Sequence, residues 1–216
     1  MSKLFLISGL GADERLFSKL DLSGFDVVAI PWIKPGPHDT LATYAARLIR
    51  EFGIVPQSSV IGVSLGGMLT VEVARQVQLK HAIIISSIKS AHEAPRYFKF
   101  FRSRAAQVLV SGKLAKTIGL VLMPVFGQRP GSEGGQIFSS MLKDSDAEFL
   151  TWAMHAVLDW SGNPVSSKIN HIIGEADLVF HQRKIKDAIV VPKGDHLMVY
   201  VRAAEISGLI RGILQS

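Results

Sequence analysis

Hydrophobic and polar positions along the chain alternate between two rhythms. Short runs dense in β-branched and aliphatic residues predict strands over Lys3–Ser8, Asp26–Pro31, Ser59–Val63, Ala82–Ser86, Ile169–Ile173 and Ala188–Val191. Between them lie segments whose apolar residues recur at helical spacing. Leu41, Tyr44, Ala45, Leu48 and Ile49 mark a helix from Thr40 to Phe52, with Asp39 as its cap. Met68, Leu69, Val71 and Val73 mark an amphipathic helix over Leu65–Val77, and a closing helix is predicted over Met198–Leu214. Strands that are apolar on both faces and separated by helices predict a mostly parallel six-stranded sheet flanked by helices. In such sheets right-handed crossovers gather the loops after the strands at one edge, where ligands bind. A dinucleotide-binding or flavodoxin-like sheet would share this rhythm, but the chain contains no G-x-G-x-x-G and no phosphate-binding loop.

The alternation breaks between Lys89 and Trp160. That stretch carries no strand signal, and it contains Gly112, Gly119, Pro124 and the glycine-rich run Gly127–Gly135. Several helices inserted after the fourth strand are expected there, within a chain of 216 residues that reads as a single domain over 1–216. No apolar stretch reaches the ~20 residues of a membrane span. Leu4–Ile7 reads as a strand rather than as a secretory signal.

Charge sharpens the picture of the insertion. Residues 89–140 hold eight Lys/Arg (Lys89, Arg96, Lys99, Arg102, Arg104, Lys113, Lys116, Arg129) against Glu93 and Glu133, so the whole formal charge of +6 sits in this segment. Tyr97, Phe98, Phe100 and Phe101 interleave with Arg96, Lys99, Arg102 and Arg104. Either the bases meet an anionic substrate or lipid surface, or the aromatics face the core and the bases are solvated. A charge run is usually a solvated face. The segment lacks any helix-turn-helix, RNA-binding or OB-type signature, so no nucleic acid is expected as a partner. The chain has no cysteine, which removes disulfides, thiolate catalysis and cysteine-based metal sites and fits a cytoplasmic protein.

Residues 62–66 read Gly62-Val63-Ser64-Leu65-Gly66. A G-x-S-x-G run between a strand and a helix puts the serine on a sharp turn, with glycines where chain segments approach too closely for a Cβ. The run is common by chance in a glycine-rich chain. Its weight comes from the strand before it and the helix after it, whose N-terminus points where an oxyanion would develop. A serine hydroxyl needs a base. Of seven histidines, His196 follows the last strand and precedes the final helix; His38, His81, His92, His155, His171 and His181 lack that placement. The acid that orients the histidine has several candidates: Asp177 after the fifth strand, Glu175, Asp159, and Asp195 beside His196.

In these features the chain resembles the α/β-hydrolase superfamily over nearly its whole length. Ile173-Gly174-Glu175-Ala176-Asp177 is similar to that family's loop bearing the acid, and the order Ser64, Asp177, His196 matches its chain order. Only a compact helix at Gln182–Lys186 fits between Asp177 and His196. Ser8-Gly9-Leu10-Gly11 resembles the family's H-G-x-G oxyanion loop, with Ser8 where the family usually has histidine. The resemblance implies an oxyanion hole formed by the N–H groups of Leu10 and Leu65, and a helical lid over residues 89–160 that sets substrate choice. It implies a serine hydrolase acting on a small carboxylic ester or thioester, with no metal and no cofactor. Acyl transfer, C–C hydrolysis and perhydrolysis share the same residues. A catalytically silent binding protein is the reading from a different class. The oligomeric state, a homodimer included, is left open.

Overall fold

The computed structural model describes residues 3–101, 112–121, 123–129, 131–162, 165 and 167–216. Six strands form one sheet: β1 (Lys3–Ile7), β2 (Asp26–Ile30), β3 (Ser59–Val63), β4 (His81–Ile85), β5 (Ile169–Gly174) and β6 (Ala188–Val191), in the order β2-β1-β3-β4-β5-β6. Every pairing is parallel. The expectation of a mostly parallel sheet is therefore met in its strictest form.

Alternation along the strands divides two cores. Phe5, Ile7, Val60, Ile84 and Ile173 face one layer, which holds α1 (Leu41–Phe52) and α2 (Leu65–Gln76). Leu4, Leu6, Ile61, Val63, Ile83 and Ile172 face the other, built on Leu16, Phe17 and the final helices. The two edge strands depart from the sequence expectation of apolar strands covered on both faces. Val27 on β2 and Ile189 and Val190 on β6 are each about two-fifths exposed, because an edge strand has a neighbour on one side only.

The helix termini follow local chemistry. Thr40, not Asp39, caps α1: its hydroxyl accepts from the Thr43 N–H, and Gly53 closes the helix in the left-handed region at φ 65°. Asp39 instead accepts from Gly36 N–H and Thr43 Oγ1 and pairs with Arg47. The amphipathic pattern read into α2 is overridden by position. Leu65 through Ala74 are all buried, since α1 and the inserted segment enclose this helix.

Between β4 and β5 lie α3 (Arg96–Phe101), α4 (Gly112–Val121), a 3-10 turn at Met123–Phe126, α5 (Glu133–Asp144) and α6 (Ala147–Asp159). This is the helical insertion expected after the fourth strand. Its glycine-rich run ends sooner than expected. Ser132 caps α5, and Gly134 and Gly135 occupy its first turn, where a Cβ would lie 2.1 Å from Gln128 Oε1 and 2.3 Å from Arg129 O. Trp160 sits just past the end of α6 and donates to Glu72 at 2.6 Å. The single closing helix is two, α7 (Met198–Val201) and α8 (Ala203–Leu214), broken at Arg202 with φ −127° and ψ 35°. The Gln182–Lys186 helix shrinks to a 3-10 turn at Gln182–Lys184. No helix of the described residues is long and apolar enough to cross a membrane.

Candidate active site

Strand order locates the crevice before any side chain is considered. From β1 the chain leaves to β2 on one side, and β3 returns on the other. The loops after β1 and β3 therefore diverge and leave a gap at the carboxyl edge, where open parallel sheets bind ligands. The loop after β1 carries Leu10 and the loop after β3 carries Ser64.

Ser64 sits at φ 54° and ψ −114°, a conformation costly to any residue with a Cβ. Two kinds of contact hold it there. A Cβ on Gly62 would lie 2.1 Å from Gly66 O, and one on Gly66 would lie 2.1 Å from Ile7 O, so both flanking glycines are required by backbone against backbone. The Ser64 carbonyl accepts from the N–H groups of Gly67 and Met68 and from Ser87 Oγ at 2.7 Å. Ser87 was not singled out by the sequence. It lies beyond β4, and nothing local marks it as a support for the turn.

The serine hydroxyl lies 3.1 Å from His196 Nε2, and His196 Nδ1 lies 2.9 Å from Asp177 Oδ2. An ionised carboxylate can only accept, so the proton is on Nδ1 and Nε2 is free to accept from Ser64. Asp177 Oδ1 accepts from the N–H groups of Val179 and Phe180 at 2.8 and 2.9 Å. Burial alone would raise the Asp177 pKa. The His196 imidazole and the two amides outweigh that and hold it below the ordinary carboxylate value. Asp177 is buried, so its charge exists because each oxygen is paired.

The rival acids are elsewhere. Glu175 Oε2 accepts from Lys193 N–H, Asp159 closes α6 beside a separate groove, and Asp195 turns its carboxylate away from the imidazole. Asp195 Oδ1 accepts from Leu197 N–H at 2.9 Å, and Oδ2 accepts from Gln128 Nε2 at 2.8 Å. Burial raises the Asp195 pKa. Gln128 is a buried residue of the insertion that sequence reasoning missed. Its partner is 67 positions away, and a lone glutamine after a glycine carries no signal. Phe126 and Phe180 flank the imidazole, with ring centroids 5.5 and 5.7 Å from it.

Leu10 is half-buried at the turn after β1, and Leu65 opens α2 beside the serine. Among the described residues, neither N–H donates within the protein. Ser8, at the position where the resembled family usually has histidine, donates its hydroxyl to Ala12 O at 3.0 Å. Trp32 Nε1 donates to the same oxygen at 2.8 Å. The Leu10 loop is thereby fixed without the histidine. Of the other histidines, His171 is within β5 and places Nε2 3.0 Å from Ser87 O; the rest lie apart from Ser64. No cluster of three or more metal-ligating side chains occurs among the described residues.

No family model matches the sequence, and no curated protein matches it. Solved structures do. A thermophilic esterase from Thermogutta terrifontis superposes with a TM-score of 0.78 at 17% identity, covering 100% of this chain and 90% of its own. An esterase from Exiguobacterium antarcticum gives 0.77 at 12% identity, covering 100% and 92%. A hydrolase from Pseudomonas aeruginosa gives 0.76 at 18% identity, covering 100% and 90%. At these identities the likeness is one of architecture, and together with the parallel sheet and its helical insertion it establishes that the chain has the α/β-hydrolase fold.

Proposed function

We propose that the protein is a serine hydrolase that cleaves a small carboxylic ester or thioester through an acyl-enzyme. The reading is carried by one observation: Ser64 Oγ, His196 and buried Asp177 form a continuous hydrogen-bonded line at the carboxyl edge of the sheet. Ser64 Oγ attacks the carbonyl carbon while His196 Nε2 takes its proton. Asp177 keeps the other ring nitrogen protonated and stabilises the imidazolium. The carbonyl oxygen becomes an oxyanion, which the N–H groups of Leu10 and Leu65 receive at the positive end of α2. The tetrahedral species collapses, the C–O or C–S bond breaks, and His196 returns the proton to the leaving group. Water, deprotonated by His196, then attacks the acyl-Ser64 ester and releases the acid.

The test is covalent labelling by a fluorophosphonate probe, which reacts with an activated serine alone. We expect wild-type protein to be labelled at Ser64 and Ser64→Ala to remain unlabelled. A folded wild-type protein that resists the probe would favour the silent binding protein.

A further inference from the structure

The cavity above Ser64 carries a statement about substrate class, and that statement rests on the hydrolase reading. Its volume is about 500 Å³. Met68 from α2 and Phe98, Phe126, Phe138 and Met154 from the insertion form much of its wall, together with Phe180 from the loop of Asp177. Beyond Ser64 and His196, the lining contains one polar side chain, Tyr97, whose hydroxyl donates to Val179 O at 3.1 Å. Among the described residues, no lining residue bears a fixed charge.

The described bases of the insertion do not reach this space. Among the described residues, Lys89 Nζ donates to Lys186 O, Lys116 Nζ donates to Lys143 O, and Arg96 and Arg129 are exposed. None lines the cavity. Arg102, Arg104 and the side chains of Lys99, Phe100, Phe101 and Lys113 lie outside what is described.

We propose that this cavity is a subsite for an uncharged, apolar acyl chain of medium length, and that aromatic residues of the insertion select the substrate. Two physical arguments set the class. A carboxylate or ammonium entering the cavity would shed its water and find no counter-charge among the described lining residues, a heavy penalty. Each methylene that enters instead gains a roughly fourfold tighter association. At about 30 Å³ per methylene-sized group, the space holds on the order of 15 such groups. The acyl group is the part that remains on Ser64 between the two steps, whereas the leaving group departs past His196. The apolar wall beside the serine therefore serves the acyl group.

The experiment separates binding from turnover. The Kd of purified Ser64→Ala is measured for p-nitrophenyl acetate, for p-nitrophenyl hexanoate, and for the mono-p-nitrophenyl ester of adipic acid. The last matches hexanoate in length and ends in a carboxylate. We expect hexanoate to bind at least about tenfold tighter than acetate, since four added methylenes set a ceiling of roughly 200-fold. The adipate monoester should bind at least about tenfold weaker than hexanoate, at low and at high salt alike. In otherwise wild-type protein, Phe98→Ala should lower the hexanoate-to-acetate ratio of kcat/KM several-fold, and Met154→Ala serves where that variant does not fold. Equal binding of acetate and hexanoate, or tighter binding of the adipate monoester, overturns the proposal even if wild-type protein turns over every ester. Conversely, the expected binding order in a wild-type protein without turnover upholds the subsite and removes the hydrolase reading.

Discussion

At the scale of single residues, the site depends on which carboxylate faces His196 and on how that charge is maintained. Asp177 has both oxygens engaged, one by His196 Nδ1 and one by two amides, whereas Glu175 points to the Lys193 amide. Asp177→Asn preserves the shape but places an amide against Nδ1, which favours the wrong tautomer. Loss of kcat by about 10⁴-fold is the expected scale. Glu175→Gln, which can still accept from Lys193, should change kcat less than about threefold, because the substitution is remote from the imidazole. Steady-state kinetics on one chromogenic ester compares the two variants; the reverse ranking would move the acid to Glu175. The meeting of Ser64, Asp177 and His196 was legible in the sequence because each is tied to the end of a strand, and strands are legible. The supports were not. Ser87, Trp32, Phe126 and Gln128 act through contacts between distant segments, and no local pattern reports a contact of that kind. Position Ser8 shows the limit of motif reading: the loop keeps its form because Ser8 and Trp32 both donate to Ala12 O.

At the scale of elements, the insertion is bound to both loops that carry Asp177 and His196. Tyr97 donates to Val179 O in the loop of Asp177, and Gln128 donates to Asp195 in the loop of His196. At the second tie the Gly127 backbone also lies against the Asp195 side chain. Gly127 has φ 81°, and a Cβ there would lie 2.3 Å from that of Asp195. Gln128→Ala leaves Asp195 Oδ2 without its donor, a loss of roughly 1–3 kcal/mol for a buried acceptor. It should lower the unfolding midpoint and raise KM for a medium-chain ester as the Phe126 wall loosens. Gln128→Glu sets two carboxylates together, so its KM should be higher still at pH 7.5. That excess should shrink as the pH falls and the pair retains a proton. A Gln128→Glu variant with wild-type KM across the pH range would show that the tie does not hold the wall. Nothing local in the chain announces this tie, although the loss of strand signal located the insertion itself. Helix breaks were equally illegible: the interruption at Arg202 leaves the apolar spacing of α7 and α8 continuous in sequence.

At the scale of the whole molecule, hydrophobic rhythm disclosed the sheet, its parallel sense and its covering helices, while edge exposure and burial of α2 depended on strand order that rhythm does not encode. Strand order also decides how stability responds to acid, through His171. This residue lies on β5, between β4 and the edge strand β6, and it is buried. Its Nε2 faces Ser87 O and so carries the proton; Nδ1 has no partner among the described residues. Burial, and then the nearby Lys89 charge, push its pKa down to about 4 from the ordinary 6.5. Above about pH 6.5 both folded and unfolded chains hold this histidine neutral, and it does not affect stability. As the pH falls below 6.5 the unfolded chain takes up the proton and the folded one does not, so stability declines until about pH 4, where the folded form also protonates. The whole decline is on the order of 3 kcal/mol. Asp195 and Glu93, both raised by burial, bind protons in the folded state before the unfolded chain does, and they offset part of the loss at the acid end of this window. The difference between wild type and His171→Gln isolates the histidine, because the amide can still donate to Ser87 O but does not titrate. Urea midpoints at pH 7.5, 6.5, 5.5 and 4.5 should fall faster with acidification in wild type than in the variant. Parallel curves would mean that His171 does not titrate differently in the folded and unfolded chains, and would assign the acid sensitivity of the fold to other groups, among them His81, whose pKa burial also lowers.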